Sequence, residues 1–166
     1  MKKLIKQKGI KIHFQIVNYG SDLYKKSVSL REEVLRKPLG LIFTKKELEL
    51  EKEHIHIAGF YGHELCATAL LAPHGDELKL QRVVTKAHLQ RNGIGTEMMR
   101  FCEEYASKHG YKSIFCHARE AAIPFYLKNR YVLEGEPFEE EGLQLHKMRQ
   151  VRSPFRRCFA SFSLKS

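Results

Sequence analysis

The chain has 166 residues, 43% of them hydrophobic, which suits one packed domain; it holds no apolar run near the roughly 20 residues of a membrane span. Of the net charge of +10, nine units sit at the two ends: five lysines in residues 1–11, then Arg152, Arg156, Arg157 and Lys165. The middle is nearly neutral, so the basicity does not mark the folded body as a nucleic-acid binder.

The leader "MKKLIKQKGIK" lacks the apolar block of a signal peptide. Ile10, Ile12, Phe14 and Ile16 then alternate, predicting a first strand with those four on one face. Leu23, Val28, Val34 and Leu35 give Asp22 to Arg36 a helical pattern that Pro38 and Gly40 stop. A second, charge-dominated helix is expected over Lys45 to Lys52. Three strand segments follow, "HIHIAGFY", "ELCATALLA" and "ELKLQRVVT", joined at Gly62 and "PHGD" as in an antiparallel meander. A third helix is the best patterned, with Ile94, Met98, Phe101, Cys102 and Tyr105 on one stripe and Gly110 as its C-cap.

"YKSIFCHA" reads as a buried strand. A short helix from about Glu120 to Asn129 has Pro124 in its first turn, where its missing N–H costs nothing. The remaining pieces are "YVLEG", an acidic turn-rich stretch "EPFEEEG" taken as a loop, and a last strand "LQLHKMRQ". The order β, α, α, β, β, β, α, β, α, β, β predicts a mixed sheet with helices packed on its faces. Cys66, Cys102, Cys116 and Cys158 show no CxxC spacing and read as free thiols, which fits a reducing cytoplasm.

Glycine inside a helix costs about 1 kcal/mol relative to alanine, so Gly93 and Gly95 at the first turn need a geometric reason. A strand, a glycine loop and a helix N-terminus together make an anion site, because first-turn N–H groups lack helical partners and the helix dipole adds positive potential. A Walker A loop is excluded, since Thr96 and Glu97 follow the last glycine where Lys and Ser or Thr are needed. A dinucleotide fingerprint is excluded by Met98 in the third glycine place. A hairpin turn at Asn92 and Gly93 is the plainer use of that pair, weakened because a helix follows.

"QRNGIG", Gln90 to Gly95, resembles the QxxGxG pyrophosphate loop of the GNAT acetyltransferase superfamily. "REAAIPFYLKNRY" is similar to that family's second element at Ala122, Phe125 and Tyr126; Arg119 stands in its Asn place, and Arg130 with Tyr131 replaces Gly and Phe. With the element order, the likeness covers about residues 10 to 150, and "LREEVLRKPLG" and "FEEEGLQLHKM" resemble a small bacterial branch of uncharacterised members.

The resemblance implies an α/β fold of the α+β kind: a mixed, mostly antiparallel central sheet, helices on both faces, and a gap where the fourth and fifth strands splay. It implies one acetyltransferase-like domain over residues 1–150, with residues 151–166 as a basic tail. Acetyl-CoA is the implied acyl donor, and the reaction is direct transfer to a primary amine. Backbone of Arg82, Val83 and Val84 would hold the pantetheine arm, with the Val84 N–H facing the thioester oxygen. Gln90, Arg91, Asn92, Gly93, Ile94, Gly95 and Thr96 would hold the pyrophosphate, and Arg119, Ala122 and Phe125 complete the expected donor contacts. Tyr126 occupies the family's place for the acid that protonates the leaving thiolate; its alternative role is packing with Phe125 and Leu127.

For the base, His117 at the end of the fifth strand has the right pKa range, with a core histidine or solvent as alternatives. His146 and Glu139 to Glu141 are candidates for lining the acceptor pocket, together with Arg36 to Lys52. His54 and His56, two apart on one strand, offer a metal pair without a third ligand, so no metal is expected. Ser153, Pro154 and the face Phe155, Phe159 and Phe162 outline a short amphipathic helix whose docking place is its own domain, a partner subunit or an anionic surface, with self-docking or a frayed tail the plain reading. An N-acyltransferase is the leading reading, with pairing into homodimers compatible with the family and no membrane partner. A catalytically idle acyl-CoA sensor and a nucleic-acid binder acting through its ends are the alternatives.

Overall fold

The structure, a computed structural model, describes residues 11–90 and 93–151. The basic leader, Arg91, Asn92, Cys158 and the Phe-containing tail lie outside the described residues. The strands are β1 (Ile12–Val17), β2 (Ile55–Tyr61), β3 (Glu64–His74), β4 (Glu77–Thr85), β5 (Ser113–Arg119), β6 (Tyr131–Leu133), β7 (Phe138–Glu140) and β8 (Leu143–Gln150). The helices are α1 (Asp22–Leu35), α2 (Lys45–Leu50), α3 (Ile94–Lys108) and α4 (Ile123–Lys128). The strands are hydrogen-bonded in the order β1-β2-β3-β4-β5-β8-β6, with β7 also on β8. β4 and β5 pair in parallel, and β1–β2, β2–β3, β5–β8, β6–β8 and β7–β8 pair antiparallel. This is the mixed sheet that the element order predicts, mostly antiparallel as the resemblance implies.

The chain divides into two compact units, one up to Ala72 plus Gln81–Cys102, the other Pro73–Leu80 plus the residues from Glu103 on. In the first, Ser21 caps α1 by accepting from Tyr24 N at 3.1 Å, an arrangement worth about 1 kcal/mol. Val17, Tyr24, Val28 and Ala58 form one buried cluster, which puts α1 against one face of β1 and β2. Phe14 is three residues from Val17 and so faces the other way. Its ring lies 5.9 Å from Phe101 of α3, so helices cover both faces here. An added Cβ on Gly59 would come within 2.3 Å of the Phe14 ring, so that ring is seated over bare backbone. Ile16, expected in the apolar face, is 43% exposed on this edge strand, and burial passes instead to Val17, which α1 covers.

α2 ends at Leu50, two residues earlier than expected, and begins with a capping box: Glu47 N donates to Thr44 Oγ1 at 3.2 Å and Thr44 N donates to Glu47 Oε2 at 2.8 Å. In α3, Ile94, Met98, Met99, Cys102 and Ala106 are fully buried, adding Met99 and Ala106 to the expected stripe. Each large apolar side chain so buried contributes about 1.5–3 kcal/mol. Burial pushes the Cys102 thiol up to about 12, and Cys66 and Cys116 are also free and buried.

In the second unit, β4 and β5 run in register from Glu77↔Ser113 to Leu80↔Cys116. Both strands continue beyond that last pair, to Thr85 and Arg119. Leu78, Leu80, Ile114, Cys116 and Met148 are buried there. The expected helix from Glu120 begins as a 3-10 turn, Glu120–Ala122, and becomes α4 only at Ile123, with Pro124 in the first turn. The acidic stretch expected as a loop contains β7, because Phe138↔Leu145 to Glu140↔Leu143 pair across a turn in which Glu141 and Gly142 both have positive φ.

Candidate active site

In the first unit, β4 leads through a 3-10 turn, Ala87–Leu89, and Gln90 to the start of α3. Gln90 Nε2 donates to Thr85 O at 3.1 Å, which ties the loop back to the end of the strand. Gly93 is exposed at φ +79, and nothing lies within 4 Å of a Cβ built on it. Its glycine is therefore explained by left-handed backbone and not by crowding from this chain. Gly93 O accepts from Glu97 N at 3.0 Å, which closes the first turn. Ile94 is anchored in the core, Gly95 and Thr96 are half-buried, and helix geometry turns the N–H groups of this turn away from the helix body. Arg91 and Asn92, expected in the same loop, lie outside the described residues.

Val84 is buried and Val83 half-buried, as suits a strand that presents backbone. Arg82 is at φ +54, a left-handed conformation that costs an L-residue about 1–2 kcal/mol. Two successive side chains then reach the α2–β2 connection: Gln81 Nε2 lies 3.3 Å from His54 Nδ1, and Arg82 Nε lies 3.5 Å from Glu51 Oε2. A regular strand would send them to opposite faces. Strain of this kind marks a functional segment when nothing else requires it.

In the second unit, Tyr126 is buried on α4, with its ring 5.2 Å from Phe125 and 5.3 Å from Tyr131. Burial pushes the Cys116 thiol up to about 12, and a side-chain hydrogen bond with Tyr126 pulls it partly back. His117 Nδ1 lies 3.2 Å from Glu140 Oε2, and its ring meets Phe138 edge-on at 4.8 Å. Burial lowers the His117 pKa, Lys79 lowers it further, and Glu140 offsets part of the shift. In the neutral ring, with Nδ1–H donated to Glu140, Nε2 keeps the lone pair.

Cys116 and His117 are consecutive on β5, so Tyr126 and His117 flank that strand on opposite faces. Arg119 is exposed at the end of β5 and N-caps the 3-10 turn; Ala122 and Phe125 are half-buried. His146 pairs with Ala118 across β5 and β8. The His117–Glu140 contact was hidden in the sequence by the acidic trio. Its signal is the alternation of Phe138 and Glu140 once that stretch is taken as a strand.

His54 and His56 do not share a strand, since His54 precedes β2. His56 Nε2 bonds Glu51 O at 2.8 Å within an aromatic cluster with Tyr19 and Tyr24, and burial lowers its pKa. Among the described residues no group of three metal-binding side chains occurs, and no helix is long and apolar enough to cross a membrane.

The family model for the acetyltransferase (GNAT) domain matches residues 42–151. The uncharacterised N-acetyltransferase YjcF of Bacillus subtilis (strain 168) is 28% identical over 130 residues, which is 77% of this chain and 92% of that one. The crystal structure of Escherichia coli ElaA superposes with a TM-score of 0.69 at 19% identity, covering 86% of this chain and 99% of its own. A Bacillus subtilis acetyltransferase crystallised in complex with CoA gives 0.62 at 16% identity, covering 86% and 100%.

Proposed function

Because the chain belongs to the GNAT acetyltransferase family, we propose that it moves an acetyl group from acetyl-CoA to a primary amine of a small molecule or peptide, in a ternary complex. The observation that carries this reading is the open, left-handed Gly93 at the first turn of α3, a cradle that a diphosphate fits without meeting a Cβ. The CoA of the Bacillus subtilis neighbour supports the donor class. In this reading residues 1–150 are one catalytic domain.

The residues then divide the work. N–H groups of Gly93 to Thr96, with Gln90, Arg91 and Asn92, hold the diphosphate, and backbone of Arg82 to Val84 holds the pantetheine arm. Arg119, Ala122 and Phe125 add donor contacts. The donor supplies a thioester carbonyl, which the amine nitrogen attacks; an N–C bond forms and the C–S bond breaks. Val84 N–H stabilises the negative charge that grows on the carbonyl oxygen, an effect worth about 3–4 kcal/mol where such donors have been removed. His117 takes the amine proton at Nε2 while Glu140 holds the ring through Nδ1. Tyr126 gives its phenol proton to the leaving thiolate. In this reading the acid and the base approach from opposite faces of β5, Tyr126 beside Cys116 of the last β4–β5 pair and His117 one residue on.

Differential scanning with CoA and acetyl-CoA tests the reading. Millimolar ligand should raise the melting temperature by several degrees, and no shift together with no calorimetric binding overturns it. An amine panel then separates enzyme from sensor: binding without transfer to any amine favours the idle acyl-CoA sensor. Tyr126→Phe should lower kcat at every pH if the phenol is the acid.

A further inference from the structure

In the first unit three guanidiniums surround one buried ring. Arg36, Arg31 and Arg82 have their Cζ atoms 4.5, 5.0 and 5.3 Å from the centre of Phe43. Their carboxylate partners are fewer. Arg36 Nη2 pairs with Glu47 Oε1 at 2.9 Å, but Arg31 Nη1, at 3.1 Å, and Arg82 Nε, at 3.5 Å, both depend on Glu51 Oε2. Three positive charges thus face two negative ones, leaving an excess of one.

Hydrogen bonding is incomplete in the same place. Arg31 Nη2, Arg82 Nε and Glu51 Oε1 are buried without a hydrogen-bond partner, and the Arg31 and Glu51 side chains are only 1% and 5% exposed. A buried polar atom left unsatisfied loses its hydration without a hydrogen bond in return. Burial lowers the Arg31 pKa, and Glu51 offsets part of the shift. A small pocket beside Arg31, lined also by Ser27, His56 and Thr68, adds a further unpartnered atom, Thr68 Oγ1. Toward solvent the cluster ends in Arg36 and Arg82, 19% and 33% exposed. The left-handed backbone at Arg82 brings the last of these to the cluster.

We propose that the acceptor amine carries a carboxylate, which Arg82 and Arg36 bind beside the Phe43 ring. A guanidinium fork matches the two oxygens of a carboxylate, and desolvated pairs of this kind are the strong ones. One carboxylate neutralises the excess of one charge, whereas a phosphate dianion exceeds it. This deepens the acyltransferase reading and rests on it for the word acceptor; the seat itself is read without turnover.

The probes are N-acetylglycine, N-acetylglycinamide and inorganic phosphate, titrated calorimetrically into CoA-free and CoA-saturated protein. N-acetylglycine is expected to bind at least tenfold more tightly than its amide and more tightly than phosphate. Arg82→Gln should bring the acid-to-amide ratio below twofold, Arg82→Lys should keep part of it because charge survives without the fork, and Arg36→Gln should reduce it on a residue whose loss does not threaten the fold. Equal binding of acid and amide, no binding of either, tighter phosphate, or a preference that survives Arg82→Gln each overturns the proposal. Failure of CoA to bind in parallel titrations removes the acyltransferase reading and leaves the seat to stand or fall on the acid-to-amide ratio.

Discussion

Two arginine networks of this molecule differ in stoichiometry. In the first unit two guanidiniums, Arg31 and Arg82, share one carboxylate, Glu51, and buried nitrogen and oxygen atoms are left without hydrogen bonds. In the second, two cations, Arg149 and Lys147, meet two carboxylates, Glu77 and Glu134, so the charges balance, and Ser113 is a further partner of Arg149 at 2.8 Å. The second network ties the start of β4, the start of β5, the end of β6 and β8 together, and its members are a quarter or more exposed. A complete network at a sheet's margin explains itself as a structural tie. An incomplete, buried and positive one asks for a ligand, and that difference is what the two regions teach.

The comparison can be broken most forcefully at Glu51. Glu51→Gln removes the carboxylate that Arg31 and Arg82 share and leaves a buried charge uncompensated, which should cost about 3–5 kcal/mol in urea unfolding. Glu47→Gln, on the half-buried partner of Arg36, 32% exposed, should cost less than about 1 kcal/mol. Equal losses would mean that the first network is no more desolvated than an ordinary surface pair.

Arg149→Gln should cost about 1–2 kcal/mol, since two partly exposed pairs are lost together. Its stronger signature is pH dependence. The hydrogen bond from Arg149 holds the Glu134 carboxyl below its usual range, and Ser113 and then Arg149 do the same for Glu77. For such groups the stabilisation is complete above the unfolded carboxylate pKa of about 4.3 and is lost as pH falls through the lower folded values. The wild-type protein should therefore lose stability below about pH 4, and Arg149→Gln should flatten that loss. A variant with the same acid slope as wild type would show that Glu77 and Glu134 owe little to Arg149.

The two regions also differ in how much of them the sequence discloses. α1, α3 and β8 are legible because their signals are local: apolar spacing in all three, Pro38 and Gly40 ending the first, Gly93 and Gly110 bracketing the second. β7 is not, since Phe138 to Glu140 become a strand only by pairing with β8, and three glutamates in a row conceal the alternation. The turn proposed to hold the diphosphate is legible through Gly93, because glycine alone adopts φ +79 without cost. The arginine cluster is not legible. Arg31 falls on the stripe of Tyr24 and Val28, which hints at burial, but its partner is twenty residues away, and nothing in an arginine announces a left-handed backbone at Arg82.

Arg82 has a counterpart in the second unit, and the smallest effect expected here comes from comparing them. Arg130 also has positive φ, +67, at the turn after α4, where its N–H donates to Leu127 O and its C=O accepts from Val151 N. It stands where the family pattern has glycine. Relief of about 1–2 kcal/mol of left-handed strain, less the extra chain entropy of an unfolded glycine, leaves Arg130→Gly more stable by at most about 1 kcal/mol. In a chain of this length that is a rise of about 2–4 °C in melting temperature. Arg82→Gly relieves the same strain but removes the guanidinium fork, so it should gain no more stability than Arg130→Gly while losing the preference for acid over amide. If both glycine variants kept that preference, strain at Arg82 would be as incidental as strain at Arg130, and the acceptor seat would lose the backbone feature that brings its second arginine into place.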